Sequence, residues 1–400
     1  MTAEPASPAT PPRAQRRLRV LMVLESEFPV QRGGGSEIQV RTLGEALCRR
    51  GHRVTVLTPR IATGPQAPAS RHFGLAVARI GYPRVRGFGT LVMLWRLAGF
   101  VLRRGRRYDV AHIHIAHYLA LVCCLCAPWV GLRTLIKVSG WWEIGRGLMR
   151  PDGGLSVRLA SVLWRRADAW QAISTRIAAA LADLGIRRER ILPIVNAVDL
   201  ARFAPRTGLR TDAPRTYVYV GRLAPEKGVD TLLRGWNEAF HGRSDRRLWL
   251  VGSGAAADSL RALAAELGCN DNVEFLGHRD RVDGVLADAD IGLLPSLMEG
   301  LSNTLLEFMA SGLAVLGSRV SGSEDFIRPG ETGWLHEPGD ARSVADTLTL
   351  TDRVDEDTLA AMGRRARAEV ERRAGVDRVV DELIAAYAPA RAAAHLAPET

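Results

Sequence analysis

The chain has 400 residues, too many for one ordinary domain and suited to two of typical size, and its apolar fraction of 47% is enough for real cores. Charge is unevenly spread: residues 1–205 hold 31 basic against 12 acidic side chains, a net +19, whereas residues 206–400 hold 23 against 31, a net −8. Five cysteines without paired-loop spacing or matching histidines exclude a disulfide framework and a zinc site, and point to a reducing compartment.

Residues 1–16 are rich in Ala, Pro and Thr, which predicts a disordered tail. The run Val20–Leu24 is too short for a signal-peptide core and stops at Glu25. Short β-branched runs then predict strands over Arg19–Glu25, Arg53–Thr58, Asp109–Ile115, Thr134–Ser139 and Ala169–Ile173. Helices are expected over Ser36–Arg50, from about Gly87, and over Ser174–Leu184, with Ser174 as N-cap. No segment reaches the roughly 18–20 apolar residues of a membrane span. Ile115–Leu132 comes nearest, but Pro128, Gly131 and two histidines near its start indicate a buried helix. The expected location is cytoplasmic, soluble or peripheral on the inner face of the membrane.

The segment Asn196–Pro205 and then Arg206–Arg215 has turn residues and no sustained period, and reads as a linker. A second series follows, with strands Thr216–Gly221, Leu248–Gly252, Val273–Leu276, Ile291–Leu294 and Leu313–Gly317 and helices Gly228–Phe240, Ala256–Leu267 and Ser302–Ala310. Thr358–Tyr387 is helical by period and long enough to pack back across both halves. The pattern predicts an α/β protein of two Rossmann-like, doubly wound domains facing a central cleft, over 17–200 and 201–375, with 376–400 a C-terminal helix and tail. Ligands of such sheets bind at the carboxyl ends of the strands.

Chemistry concentrates in the second half. In Gly221-Arg-Leu-Ala-Pro-Glu-Lys-Gly228, Arg222 and Lys227 flank a strand-to-helix turn. Two cations beside a helix N-terminus make a diphosphate clamp, although such clusters are more often solvated turns. Lysine occurs only at Lys137 and Lys227 in this arginine-rich chain, which weighs for a specific role. Farther on, a strand runs into Glu299-Gly300 and then a helix carrying Glu307. Gly300 permits tight turning, Ser302 or Asn303 can cap the helix, and the N–H groups of Leu301, Ser302, Asn303 and Thr304 can face an anion. Glu299 and Glu307 can then take hydroxyls on either side of it, as a nucleotide sugar would present.

In the first half, Gly33-Gly34-Gly35-Ser36-Glu37 follows a strand and opens a helix, where glycine allows close backbone approach to phosphate or sugar. His112 and His114 alternate on one strand and so share a face, either lining an acceptor cleft or sitting satisfied in the core.

Arg222…Lys227, Glu299 with Glu307 eight positions later, and Leu-Glu-Phe-Met-Ala-Ser-Gly312 together resemble the retaining GT-B glycosyltransferases. So do Asn196-Ala-Val-Asp…Phe203, Val251-Gly-Ser-Gly254, Phe275-Leu-Gly277 and Ile327–Trp334. The likeness extends over roughly 19–390 and is strongest from 190 to 340. It implies that Arg222 and Lys227 hold the donor diphosphate and stabilise the leaving group, that Glu299 positions the sugar, and that Glu307 binds the ribose. Gly277, His278 and Arg279 would edge the base, and Gly34 and Gly35 would approach the donor with Gly221 and Gly300. The donor would be a UDP-, GDP- or other nucleotide sugar, with no further cofactor and no metal, because protein cations and N–H groups replace one.

The chain departs from many relatives where a histidine follows the fourth strand. It has Lys137-Val-Ser-Gly-Trp-Trp-Glu143 instead, so Lys137, Ser139 and Glu143 join Ser36, Glu37, His112 and His114 as acceptor-side candidates. The stretch Gly87–Arg107 is apolar and basic by turns, and can lie on an anionic bilayer or pack on the sheet with its basic end in water. Of a lipid-linked sugar, a polysaccharide or a small molecule as acceptor, the +19 half favours a lipid-linked or anionic one; no nucleic acid is expected. A nucleotide-sugar epimerase and a non-catalytic binding relative share the architecture. A dinucleotide oxidoreductase would need Gly-x-Gly-x-x-Gly spacing, which Gly33-Gly-Gly lacks.

Overall fold

The computed structural model describes residues 16–29, 34–61, 66–150, 154–206 and 214–388. Nearly all of the expected N-terminal tail, Gly33, and the middle of the linker fall outside these residues.

Two sheets form. The first contains β1 (Arg19–Val23), β2 (Arg53–Pro59), β3 (Ala69–His72), β4 (Leu75–Ile80), β5 (Val110–Ile113), β6 (Arg133–Val138), β7 (Ala169–Ala172) and β8 (Ile191–Leu192), in the order β3-β4-β2-β1-β5-β6-β7-β8. All pairings are parallel except β3–β4. The second contains β9 (Arg215–Val220), β10 (Arg246–Val251), β11 (Val273–Gly277), β12 (Ile291–Leu294), β13 (Ala314–Ser318) and β14 (Gly333–His336), all parallel, in the order β11-β10-β9-β12-β13-β14. These are two Rossmann-like sheets. The order in which strands are added reverses between β1 and β5 in one and between β9 and β12 in the other, so the loops leaving those strands flank the crevices where such sheets take ligands.

The central strands were legible because both faces are covered and their sequences are continuous apolar runs. β12 and β5 are buried at every position. The sequence did not show β3, β4, β8 or β14. β3 alternates exposed and half-buried residues at a sheet edge, and β8 has two half-buried residues. The predicted helix Thr358–Tyr387 is two helices, Glu356–Ala374 and Val376–Tyr387, broken at Gly375. At the break, Val198 of the linker donates from its N–H to Ala374 O at 2.9 Å and accepts from Val376 N at 3.1 Å. The linker therefore takes the backbone groups that a continuous helix would have used itself.

Beyond that break the last helix lies on the first domain. Arg50 pairs with Asp377 at 3.1 Å and with Asp381, and the Tyr387 hydroxyl reaches His112. One apolar core accordingly runs from Val20 and Ile136 of the first sheet through Leu305 and Phe308 to Val380, while a second, centred on Trp236 and Tyr217, fills the far face of the C-terminal sheet. No helix among the described residues is long and apolar enough to cross a membrane.

Candidate functional site

The loops after β9 and β12 are locked together by close backbone approach. Gly228 has φ 63° and begins the helix Val229–Phe240; a Cβ there would lie 2.2 Å from Pro295 O. Leu297 N donates to Glu226 O at 3.0 Å. A glycine is therefore required on both counts, conformation and space. The result is that Lys227, at the end of the turn Pro225–Lys227, places Nζ 2.5 Å from Oε1 of Glu299, which also accepts from Ser296 Oγ at 2.9 Å. Arg222 points outward from the same turn and pairs with Glu226 at 3.0 Å. Gly221 directly follows β9, where the backbone of Gly252 packs on it: a Cβ at 252 would lie 1.8 Å from Gly221 O.

Gly300 corrects one expectation. Its φ is not positive, so tight turning is not its reason. A Cβ at 300 would come within 2.8 Å of Ser139 O and 2.9 Å of Gly140 Cα, on the other domain. The glycine lets the two halves of the protein meet.

Capping at the next helix, Asn303–Ala310, also differs from expectation. Ser302 holds the N-cap position but its side chain makes no cap bond. Asn303 instead reaches across the cleft. Its Nδ2 donates to Gly35 O at 3.0 Å, and its Oδ1 accepts from Gln39 Nε2 at 3.1 Å and from Asn196 Nδ2 at 2.9 Å. Asn196 Nδ2 further donates to Leu301 O at 3.0 Å, and Gln39 clasps both backbone groups of Ala197 at 2.8 Å. Gly34 is the N-cap of the helix Gly35–Arg49, with the Glu37 side chain folded back over it. Two helix N-termini, one from each domain, thus converge at Asn303, and both turn the positive end of their dipoles to the same place. Thr304 and Ser36 are half-buried beside them, whereas Leu301 and Glu37 are buried. Gln39 was not recognisable in the sequence; its side chain acquires a role only through Ala197, 158 residues away.

Glu307 is half-buried and has no hydrogen-bond or ion-pair partner for its carboxylate among the described residues. Burial pushes its pKa up to about 7, with the Arg202 charge opposing. Gly277 closes β11 with φ 68° and accepts from Gly252 N at 2.8 Å. His278 pairs with Asp280 at 3.3 Å, and Arg279 lines a cavity of about 450 Å³ with Trp249, Leu276, Arg281 and Asp283. Another cavity of about 470 Å³ lies between Pro205, Asp290 and Arg364, away from the Lys227–Glu299 contact.

On the first domain most acceptor-side candidates prove to be interior groups. His112 is buried, bonded through Nδ1 to Tyr387 Oη at 2.8 Å and through Nε2 to Gln171 Oε1 at 2.9 Å. It is a satisfied core histidine, and burial with the nearby Lys137 charge lowers its pKa to about 3. His114 stacks on it at 4.2 Å, is equally buried, and has neither ring nitrogen bonded. Lys137 is 1% exposed rather than open in the cleft, and burial pushes its pKa down to about 7 against the attraction of Glu143. Glu143 is buried and fully engaged. Its Oε1 accepts from Ser139 N, Ser139 Oγ and Gly140 N at 2.7, 2.6 and 2.8 Å, and its Oε2 from Ala116 N at 2.6 Å. Burial raises its pKa to about 7 in spite of those donors. Glu143 therefore shapes the Ser139–Gly140 loop that abuts Gly300, and is not free to exchange protons with a substrate. The five cysteines are thiols, and burial raises Cys124 to about 12.

Residues 34–197 match the glycosyl transferase 4-like domain and residues 214–350 the domain of glycosyl transferases group 1. A glycogen synthase of Mycobacterium tuberculosis is 30% identical over 388 residues, covering 89% of this chain and 90% of the relative. WcaL proteins ascribed to colanic acid biosynthesis in Escherichia coli and Salmonella typhimurium match at 33% over 217 and 32% over 216 residues, 52% of this chain; the chain spans about half the length of each, 53%. Among solved structures, a sucrose-phosphate synthase from Thermosynechococcus elongatus superposes with a TM-score of 0.80 at 20% identity, covering 95% of this chain and all of that one. Anabaena HepE in complex with UDP and glucose does so with a TM-score of 0.72 at 19% identity, covering 92% and 98%. Paired sheets, converging loops and an end-to-end relative agree: this chain belongs to the group 1 glycosyltransferase family and has the GT-B fold.

Proposed function

We propose that the protein transfers a glycosyl group from a nucleotide diphosphate sugar to an acceptor hydroxyl, with retention of anomeric configuration and without a metal. The observation that carries this reading is the Lys227–Glu299 contact, 2.5 Å, set beside two converging helix N-termini. A cation and free dipole ends suit a diphosphate, and an adjacent carboxylate suits the sugar hydroxyls attached to it. Arg222 and Lys227 hold the diphosphate, Glu299 orients the sugar, Glu307 accepts from the ribose, and Gly277–Arg279 flank the base. The domain over 201–375 then carries the donor and that over 17–200 faces the acceptor.

In the transfer, the bond from C1 to the β-phosphate oxygen breaks with its electron pair going to that oxygen. The acceptor oxygen bonds to C1 from the same face and its proton passes to the departing phosphate, leaving nucleoside diphosphate and glycosylated acceptor. Lys227 and Arg222 stabilise the charge that grows on the phosphate, the role a divalent cation would otherwise fill. Relatives support sugar transfer by their printed names, among them an N-acetyl-alpha-D-glucosaminyl L-malate synthase of Bacillus anthracis and a GDP-mannose-dependent phosphatidylinositol monomannoside mannosyltransferase of Corynebacterium glutamicum. Solved neighbours hold UDP or UDP-glucose, which supports a nucleotide-sugar donor. The acceptor is a lipid-linked or polymeric glycan, met at the inner face of a membrane by the basic first half.

The test is release of nucleotide, and thermal stabilisation, across UDP-, GDP-, ADP- and dTDP-sugars, with the product anomer assigned by NMR and the assay repeated in EDTA. One donor is expected to stand out and to give the donor's own anomeric configuration with EDTA present. If no donor raises the melting temperature or is turned over, the reading is abandoned; an inverted anomer or EDTA sensitivity removes the mechanism alone.

A further inference from the structure

The helix Phe88–Arg104 is apolar on two opposite faces. Gly89, Met93, Leu97 and Val101 are buried on one. On the other, Phe88, Leu91, Trp95 and Leu102 recur at helical spacing and are exposed, Trp95 at 71%. A crossover helix needs only the first face to pack on its sheet, and the second is left exposed among the described residues. The helix packs against Tyr118–Cys126 and the turn Ala127–Val130. These neighbours prolong the apolar strip with exposed Leu125 and with Trp129, 75% exposed. Tyr118 and Trp142, also exposed, continue it. Both rings lie against His117, and Trp142 belongs to the short helix directly after the Ser139–Gly140 loop that touches Gly300. The strip therefore leads from the outer helix to the edge of the cleft.

Charge decides what covers it. Arg86, Arg103, Arg104, Arg106 and Arg107 are exposed at the two ends of the helix, and none of them forms an ion pair among the described residues. No Asp or Glu occurs in the sequence between Glu45 and Asp109. A symmetric contact with a second copy would set these arginines against one another. An anionic lipid surface satisfies both features together: a helix of about 25 Å lies in the interface with Trp, Phe and Leu below the headgroups and arginines among the phosphates.

We infer that this face of the first domain docks on an anionic bilayer and delivers the cleft edge at Tyr118 and Trp142 to a lipid-borne acceptor. The docking deepens the glycosyl-transfer reading, and the acceptor part rests on it. The test is flotation of the full chain with vesicles of phosphatidylcholine alone and of phosphatidylcholine mixed with phosphatidylglycerol. Binding is expected only to the mixed vesicles and is expected to weaken as salt rises. The double variant Leu91→Ser with Trp95→Ser should bind roughly tenfold or more weakly. Each Arg→Gln change among 103, 104, 106 and 107 should cost about fivefold and flatten the salt dependence. Donor binding without vesicles is measured on every variant and should match the parent. Docking is overturned by equal affinity for neutral and mixed vesicles, by no vesicle binding, or by self-association that the Leu91/Trp95 variant abolishes. Each of these leaves the donor chemistry standing. Failure to bind any donor would remove the transfer reading whatever the vesicles show.

Discussion

Lys227 Nζ and Glu299 Oε1 are 2.5 Å apart although 72 residues separate them in the chain, and neither side chain is more than a quarter exposed. The contact exists because Gly228 brings one loop against Pro295 of the other. A lysine held there can be drawn onto a diphosphate while the carboxylate it leaves turns to sugar hydroxyls.

Lys227→Ala and Glu299→Ala should each lower kcat/KM for the donor by roughly two to three orders of magnitude, the usual effect of losing one preorganised charge at a reacting phosphate or sugar. The double variant should be far less than additive, because the two groups act as a unit. Since the pair is half-buried, stability should change by only about 1 kcal/mol. Steady-state kinetics with melting curves decide it: near-parental turnover in both single variants would falsify the site.

Gly300→Ala tests the meeting of the domains. Its methyl would have to displace the backbone of Ser139 and Gly140, which cannot swing away as a flexible side chain could. Donor affinity, which the proposed function assigns to the C-terminal domain, should stay within a few-fold, whereas kcat should fall on the order of a hundredfold because the acceptor side is held off by a fraction of an ångström or more. Isothermal titration beside kinetics separates the two; equal losses in both would place Gly300 in the donor pocket instead.

Glu307 predicts a pH dependence. Its pKa is raised to about 7 in the protein by burial. Ribose hydroxyls on Glu307, as the proposed function has them, would stabilise the ionised carboxylate, so binding would lower the pKa and favour proton release. Donor affinity should therefore be greatest above pH 7 and weaken as pH falls below it. Glu307→Gln should bind more weakly and show no such slope. Donor Kd measured between pH 5.5 and 8.5, about three units spanning that pKa, provides the check.

Lys137 makes a prediction about folding. Burial holds its pKa at about 7, against 10.5 ordinarily, so the unfolded chain binds the proton more tightly between those values. The destabilisation from burying the charge is full below about pH 7, shrinks as pH rises, and is gone above 10.5. This group alone should add about 1.4 kcal/mol of stability per pH unit across that window. Lys137→Met should lack the slope and be more stable than the parent at neutral pH, with Glu143 still held by its four donors. Denaturant titrations of the two proteins at pH 7 and pH 9.5, about two and a half units apart, measure the difference. A parental protein whose stability is flat over that range would rule out a strained lysine.

The sequence by itself determined what depends on near neighbours. Continuous apolar runs such as Ile291–Leu294 become central parallel strands wherever they are covered on both faces, and glycines at 221, 228 and 277 mark where those strands turn into ligand loops. Ser174 caps its helix through Ile177 N, three residues on, and was legible for that reason. Only the tertiary structure decided which polar residues are buried and paired and which reach the cleft. By sequence His112 could line the cleft or sit satisfied in the core, and the bond to Tyr387, 275 positions away, decides for the core. Glu143 is an acceptor-side candidate by sequence, in the stretch where relatives have a histidine, yet backbone donors from two loops consume its lone pairs. Gly300 and Asn303 have their purpose in another domain, at Ser139 and Gly35. Burial and long-range pairing are properties of the folded surface around a side chain, and a linear pattern carries no record of the partner that will arrive there.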